Sequence, residues 1–93
     1  MSGHYWPLTC VEVKTLLKRL GFEPQPQKGT SHENWIGYIR GKYRKVTIDC
    51  PKSPFTQQLI LWMAHQAGLT KKEFYSALNP DKAELLKRLL AHP

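Results

Sequence analysis

The chain has 93 residues, with 14 Lys and Arg against 7 Asp and Glu and a formal net charge of +7. This length suits one domain around one hydrophobic core, and 41% hydrophobic content is too high for a disordered chain. No apolar run approaches the ~18 residues of a membrane span and no secretion signal is present, so we expect a cytoplasmic protein without a membrane partner. The positive charge favours a polyanionic partner.

The first predicted element is a helix from Cys10 to Leu20. Thr9 and Glu12 have the spacing of a capping box, apolar residues then recur at helical spacing, and Gly21 ends the helix. Two prolines in the segment that follows predict an edge strand or extended arm, with a turn at Lys28 and Gly29.

Two strands are predicted next, from His32 to Arg40 and from Tyr43 to Cys50. A two-residue turn of Gly41 and Lys42 suits a type II′ hairpin because glycine stands first. This turn would pair Arg40 with Tyr43 and Asn34 with Asp49.

The hairpin register divides the side chains between two faces of the sheet. The face expected to meet the core carries Trp35, Gly37, Ile39, Arg44, Val46 and Ile48. The face expected to meet solvent carries His32, Asn34, Ile36, Tyr38, Arg40, Tyr43, Lys45, Thr47 and Asp49. His32 therefore begins an exposed row of aromatic and cationic residues.

Three more helices are predicted after the hairpin. The segment FTQQLILWMAHQAGL is apolar around most of its circumference, so we expect the main core helix there, ending at Gly68. Thr70 and Glu73 form a second capping box before a short helix. Asn79 and Pro80 then begin a helix with Ala83, Leu86 and Leu90 on one side, which packs on the domain or binds a partner. The predicted fold class is α+β, a three-stranded antiparallel sheet in the order α-β-β-β-α with additional C-terminal helices.

The two cysteines and four histidines show no zinc-binding spacing, and no metal or other cofactor is expected. Two cysteines in a cytoplasmic protein predict reduced thiols. Alternate residues of the second hairpin strand are expected to face the core, and Cys50 is one of them. This position predicts a buried and inert thiol.

His32 is the candidate for chemistry. A histidine beside cations can transfer protons near neutral pH, and RNA is cleaved without metal when a base takes the 2′-hydroxyl proton while cations stabilise the phosphate. The cations expected around it are Lys28, Arg40, Lys45 and Lys52, and Gly29 would let a phosphate approach the backbone closely. Tyr38 could stack on a base, although cross-strand packing is the commoner role of such aromatics. Judged by spacing alone, a histidine at this position more often only caps the strand than takes part in catalysis.

Three runs, VKTLLKRLGF, QKGTSHENW and LILWMAHQAGLTKKEF, resemble in their order and spacing the HicA family of bacterial toxin ribonucleases. The likeness covers roughly residues 9 to 78, taken as the core of a single domain of residues 1 to 93, with 79 to 93 as a helical extension. The resemblance implies a double-stranded-RNA-binding-like fold, a messenger RNA endonuclease that stops translation, and a HicB-like antitoxin partner. The family's catalytic histidine follows a Gly-Ser-His or similar turn, which places that role on His32 after Gly29 and Ser31.

The chain departs from the family pattern at two places. Many members have a second histidine directly after the first, where this chain has Glu33, and many have one near the end of the third strand, where it has Asp49, Cys50 and Pro51. We expect a metal-independent endoribonuclease. The alternative is a non-catalytic RNA-binding module of the same fold, and a third possibility is a protein-interaction domain that uses the last helix.

Overall fold

A computed structural model of the chain describes residues 5–27, 29 and 31–91. The expected α+β class is confirmed: within these described residues, four helices accompany one three-stranded antiparallel sheet, whose strand order is β1-β2-β3. The elements are, in chain order, α1 Cys10–Arg19, β1 Glu23–Pro24, β2 His32–Ile39, β3 Lys42–Asp49, a 3-10 turn Cys50–Lys52, α2 Gln57–Gln66, α3 Lys71–Ser76 and α4 Pro80–Leu90.

Helix α1 begins at the predicted capping box. The Thr9 side chain accepts a hydrogen bond from the Glu12 N–H, and the Glu12 carboxylate accepts one from the Thr9 N–H at 2.9 Å. The two bonds satisfy backbone donors that have no partner within the helix. Val13, Leu16 and Leu17 are buried, as their spacing predicts.

The hairpin turn lies one residue earlier than predicted. Arg40 and Gly41 form the turn, with φ of 53° and 74°, so Ile39 pairs with Lys42 and His32 pairs with Asp49. The prediction of Gly41 and Lys42 as a type II′ turn was therefore wrong. Positive φ at both turn residues is the type I′ pattern, whose twist matches that of the strands, and here Arg40 accepts the left-handed conformation.

The predicted division of the hairpin between two faces is nevertheless confirmed. The actual register differs from the predicted one by two residues, and a shift of two leaves every side chain on the same face. Trp35, Ile39, Val46 and Ile48 are buried in the core, while Arg44 is half-buried. On the other face His32, Tyr38 and Lys45 are exposed.

Helix α2 lies along the free edge of β3 and is only partly a core helix. Its side chains Ile60, Met63 and Ala64 are buried, whereas Leu61 and Trp62 are about half exposed. The Thr47 backbone N–H, on the strand edge, donates to Gln66 Oε1 at 3.1 Å. The expected core role of α2 is therefore confirmed for one side of the helix, whereas its other side faces solvent because α2 covers an edge of the sheet.

Helix α4 packs back on the domain. Asn79 caps it, Ala83 and Leu90 are buried, and the Leu90 carbonyl accepts a hydrogen bond from the Arg40 N–H at 2.7 Å. The apolar stripe of α4, which could have bound a partner, is thus packed against the rest of the domain. Leu89 lies outside this stripe and is exposed. None of the helices in the described part of the chain is both long and apolar enough to cross a membrane.

The N-terminal segment is held against α2 and α3. Leu8 pairs with Phe55 in an isolated bridge, and the Tyr75 hydroxyl donates to the Trp6 carbonyl at 2.5 Å. Burial raises the pKa of Tyr75, since the charged phenolate would be poorly solvated there.

A disulfide joins Cys10, at the start of α1, to Cys50, directly after β3. The two Cα atoms lie 5.3 Å apart, within the range that a disulfide spans. The expectation of two reduced thiols, with Cys50 buried and inert, is therefore corrected. Sequence spacing could not reveal the pair because 40 residues separate the cysteines and only the packing of α1 beside the sheet brings them together.

Candidate functional site

His32 and Asp49 face each other across the last pair of β2 and β3. Their side chains lie on the solvent face, with His32 Nε2 3.5 Å from Asp49 Oδ2. The predicted register had placed Asn34 opposite Asp49, and Asn34 instead pairs with Thr47, whose hydroxyl donates to Asn34 Oδ1 at 2.8 Å. The correct register thus gives the histidine an acidic neighbour that can orient its ring.

Lys52 is the third charged residue at this end of the sheet. Its Nζ lies 3.9 Å from Asp49 Oδ2, so the carboxylate is shared between an ammonium group and the imidazole. The 3-10 turn that follows β3 brings the lysine back over the strand end. Lys52 and His32 thus both approach the Asp49 carboxylate, because of this turn and not because of the register from which their proximity was inferred.

These three residues line one wall of a cleft of about 260 Å³ between the strand ends and α2. Helix α2 and the segment before it supply the opposite wall. The residues around the cleft are His32, Thr47, Asp49, Lys52, Phe55, Leu59, Trp62, Met63 and Gln66. The cleft therefore combines a charged side that can meet a phosphate with an apolar side.

Sequence reasoning missed Trp62, because it treated the whole apolar run of α2 as core. A helical wheel of α2 alone holds the needed signal: Ile60, Met63, Ala64 and Ala67 recur at spacings of three and four, and Trp62 lies off that stripe. Only the position of the helix beside β3 shows that Trp62 borders the same cleft as His32.

The segment before β2 contacts the backbone of His32 through Gln27. Gln27 Nε2 donates to the His32 carbonyl at 3.1 Å, across the turn that precedes β2. Gly29 has φ of 66°, and a Cβ added there would meet no atom within 4 Å. Ser31 is exposed directly before His32, and Lys28 lies outside the described residues.

The other predicted RNA-binding residues do not surround His32. Lys45 is exposed on the same face, paired with Ile36 in the middle of the hairpin. Tyr38 lies near the hairpin turn, about 20 Å from the strand end at ~3.3 Å per residue. It packs edge-to-face on Tyr43 with ring centroids 6.0 Å apart, which is the cross-strand role.

Arg40 is the clearest correction among the predicted cations. At the hairpin turn it points toward α3, where Nη1 donates to the Gly68 carbonyl at 3.0 Å and Nη2 lies 3.5 Å from the Glu73 carboxylate. Arg44 lies against Gly68 in the same region. Arg40 is thus separated from His32 by the full length of β2, because the turn begins at this residue.

Within residues 5–27, 29 and 31–91, no three His, Cys, Asp or Glu side chains are grouped so that they could hold a metal ion.

Comparison with known proteins gives no match. No protein-family model, no curated protein and no solved structure is significantly similar to the chain.

Proposed function

We propose that the protein is an endoribonuclease of the bacterial toxin type, which cleaves messenger RNA with His32 as the proton-transfer group. The observation that carries the proposal is the placement of His32, Asp49 and Lys52 around one open cleft. In cleavage at a 2′-hydroxyl, a histidine can act as the base, a carboxylate can orient that histidine, and a cation can stabilise the phosphate. The net charge of +7 supports an RNA substrate.

In the proposed reaction, His32 takes the proton of the RNA 2′-hydroxyl. The 2′-oxygen then forms a bond to phosphorus, and the bond from phosphorus to the 5′-oxygen breaks. The 5′-oxygen keeps the bonding electrons and takes a proton from water, and the hydroxide that remains takes the proton held by His32. The products are a 2′,3′-cyclic phosphate and a 5′-hydroxyl.

Asp49 and Lys52 have separate roles in this step. Once His32 is protonated, the Asp49 carboxylate at 3.5 Å stabilises the positive ring and holds its orientation. Lys52 balances the negative charge that grows on the phosphate oxygens. Since catalytic contacts often shorten when substrate binds, the long His32 to Asp49 distance in the free protein is compatible with this role.

The fold-level part of the proposal follows from the α-β-β-β-α order, which is compatible with a double-stranded-RNA-binding-like fold and with the HicA resemblance of residues 9 to 78. A HicB-like antitoxin would then act by covering the cleft with an acidic surface. An mRNA endonuclease works in the cytoplasm, where the Cys10–Cys50 disulfide would be reduced. The proposal therefore requires that cleavage persists in the presence of a reductant.

The test is an RNA cleavage assay in EDTA and reductant, with wild type, His32→Ala and His65→Ala. His65 is a matched control because it is exposed on α2 and does not border the cleft. We expect wild type and His65→Ala to give fragments with 2′,3′-cyclic phosphate ends and His32→Ala to lose at least 100-fold in rate, the lower range for removal of a general base.

Other outcomes would change the proposal. Equal cleavage by His32→Ala would remove the histidine from the mechanism. Cleavage that EDTA abolishes would show a need for metal. Salt-sensitive RNA binding with no cleavage by any of the three proteins would identify the chain as a non-catalytic RNA-binding module.

A further inference from the structure

Trp62 is a large apolar side chain that the fold leaves exposed. It is 58% exposed, although Ile60 and Met63 on the same helix are buried. An indole at the surface costs hydrophobic free energy, and such residues often mark binding surfaces. What distinguishes Trp62 from the other exposed apolar residues is its position on the wall of the cleft that contains His32.

The cleft around Trp62 is suited to one flat ring. Its volume of about 260 Å³ is just below the ~300 to 1,000 Å³ of pockets that hold drug-sized ligands. Buried Phe55 and Met63 form part of its lining, and Lys52 stands at its charged side. A flat apolar wall next to a cation matches a nucleotide, whose base has a π face and whose phosphate is negative.

The position of Trp62 relative to His32 is fixed by the contact between α2 and β3. Gln66, one turn after Trp62, accepts a hydrogen bond from the Thr47 N–H, and Thr47 lies two residues before Asp49. The helix that carries the indole is therefore attached to the strand that carries the carboxylate. When a base stacks on Trp62, the phosphate of that nucleotide or of the neighbouring nucleotide would lie toward Lys52.

We propose that Trp62 is a stacking platform for one unpaired base of the RNA strand, adjacent to the site of cleavage. This inference rests on the proposed function and deepens it: the substrate is single-stranded at the cleft, because a base inside a duplex has no face available to the indole. A protein partner on Trp62 is the competing occupant. The charge of Lys52 and the proton-transfer group in the same cleft favour the nucleotide.

The experiment measures binding to a short single-stranded RNA in which every ribose is 2′-O-methylated, so that no 2′-hydroxyl is available for cleavage. Four proteins are compared: wild type, Trp62→Leu, Trp62→Phe and Trp6→Leu. Trp6 is the matched control because it is 54% exposed yet packs beside Tyr75, away from the cleft. Affinity, its dependence on salt, and quenching of tryptophan fluorescence are recorded.

Trp62→Leu is expected to bind about tenfold more weakly, the scale of one lost base-aromatic stack. Its salt dependence should equal that of wild type, since stacking releases no counterions. RNA-induced quenching should be reduced in Trp62→Leu and retained in Trp6→Leu. Trp62→Phe should keep most of the affinity because it keeps an aromatic face.

Several results would overturn the inference. Wild-type affinity in Trp62→Leu, or an equal loss in Trp6→Leu, would exclude stacking on Trp62 and leave a protein partner as its occupant. Normal stacking with no cleavage of unmodified RNA would overturn the proposed nuclease and leave this inference standing. A wild-type protein that binds no RNA would overturn both.

Discussion

At the scale of single residues, Asp49 decides how the candidate site is organised. Its carboxylate lies within 4 Å of both the His32 imidazole and the Lys52 ammonium. An acid at this position can orient and stabilise the histidine of the neighbouring strand.

Replacing Asp49 by Asn tests that role. Asn keeps the shape of the side chain and removes the charge that stabilises protonated His32. We therefore expect kcat to fall about tenfold to hundredfold, a smaller loss than removal of the general base itself would cause. KM should stay close to the wild-type value because Lys52 still meets the phosphate.

Single-turnover and steady-state cleavage by Asp49→Asn and by Asp81→Asn would provide the measurement. Asp81 is exposed at the start of α4 and serves as the matched control. A higher KM at unchanged kcat for Asp49→Asn would show that the carboxylate shapes the binding surface and does not act through the histidine.

At the scale of elements, the disulfide joins the first helix to the end of the sheet beside the site. Cys10 begins α1, and Cys50 follows Asp49 directly. Ser53 adds a second link in the same region, since its Oγ accepts a hydrogen bond from the Cys10 N–H at 2.9 Å. Lys14 on α1 also pairs with Glu33 on β2 at 2.7 Å. Several contacts thus hold α1 to the strand ends.

Reduction of the disulfide is expected to lower the free energy of unfolding by about 2 to 4 kcal/mol. The reason is that the unfolded chain regains the conformational entropy that a cross-link between residues 40 positions apart removes. The fold should persist in reductant, since the hydrogen bond and ion pair between α1 and the sheet do not depend on the sulfurs.

Urea denaturation with and without reductant measures the change in stability, and the double variant Cys10→Ser/Cys50→Ser is the control. Its midpoint should match that of the reduced wild type and should not respond to reductant. A wild-type midpoint that is the same in both conditions would mean that the disulfide contributes no net stability.

At the scale of the whole molecule, the positive charge is spread over more than one surface. Lys52 lies at the cleft, Lys45 on the open sheet face, and Arg40 beside α3 at the opposite end of the hairpin. Within the described part of the chain, the cations near His32 are thus fewer than the sequence suggested. Among the described residues, only Lys52 of the predicted RNA-binding cations borders the cleft.

RNA binding should therefore depend on salt, with Lys52 making one of the phosphate contacts. Each such contact contributes about 0.7 to the slope of log affinity against log salt for a single strand. We expect Lys52→Gln to reduce the slope by about that amount, while Lys82→Gln leaves it unchanged because Lys82 lies on α4 beside α3.

A titration of 2′-O-methylated RNA at four or more salt concentrations gives both slopes. Equal slopes for Lys52→Gln and wild type would place the phosphate track on another surface, with Lys45 and the open sheet face as the next region to test.

Local signals in the sequence predicted the helices and the faces of the hairpin. Capping residues act on backbone donors within one turn, so Thr9, Thr70 and Asn79 marked the starts of three helices. Alternation of side chains is a property of any strand, so Trp35 was assigned to the core and His32 to the solvent face despite an error of two residues in register. These features depend on neighbours a few residues apart.

Other features depend on which distant segments meet, and only the tertiary structure decided them. The turn at Arg40 and Gly41 set the register, which paired Asp49 with His32 and not with Asn34. Packing of α1 beside the sheet joined Cys10 to Cys50, and packing of α2 along β3 brought Trp62 to the cleft. Sequence by itself determined the elements and the faces of the hairpin, because local backbone chemistry specifies them. The neighbours of His32 come from packing between segments far apart in the chain, which no local pattern records.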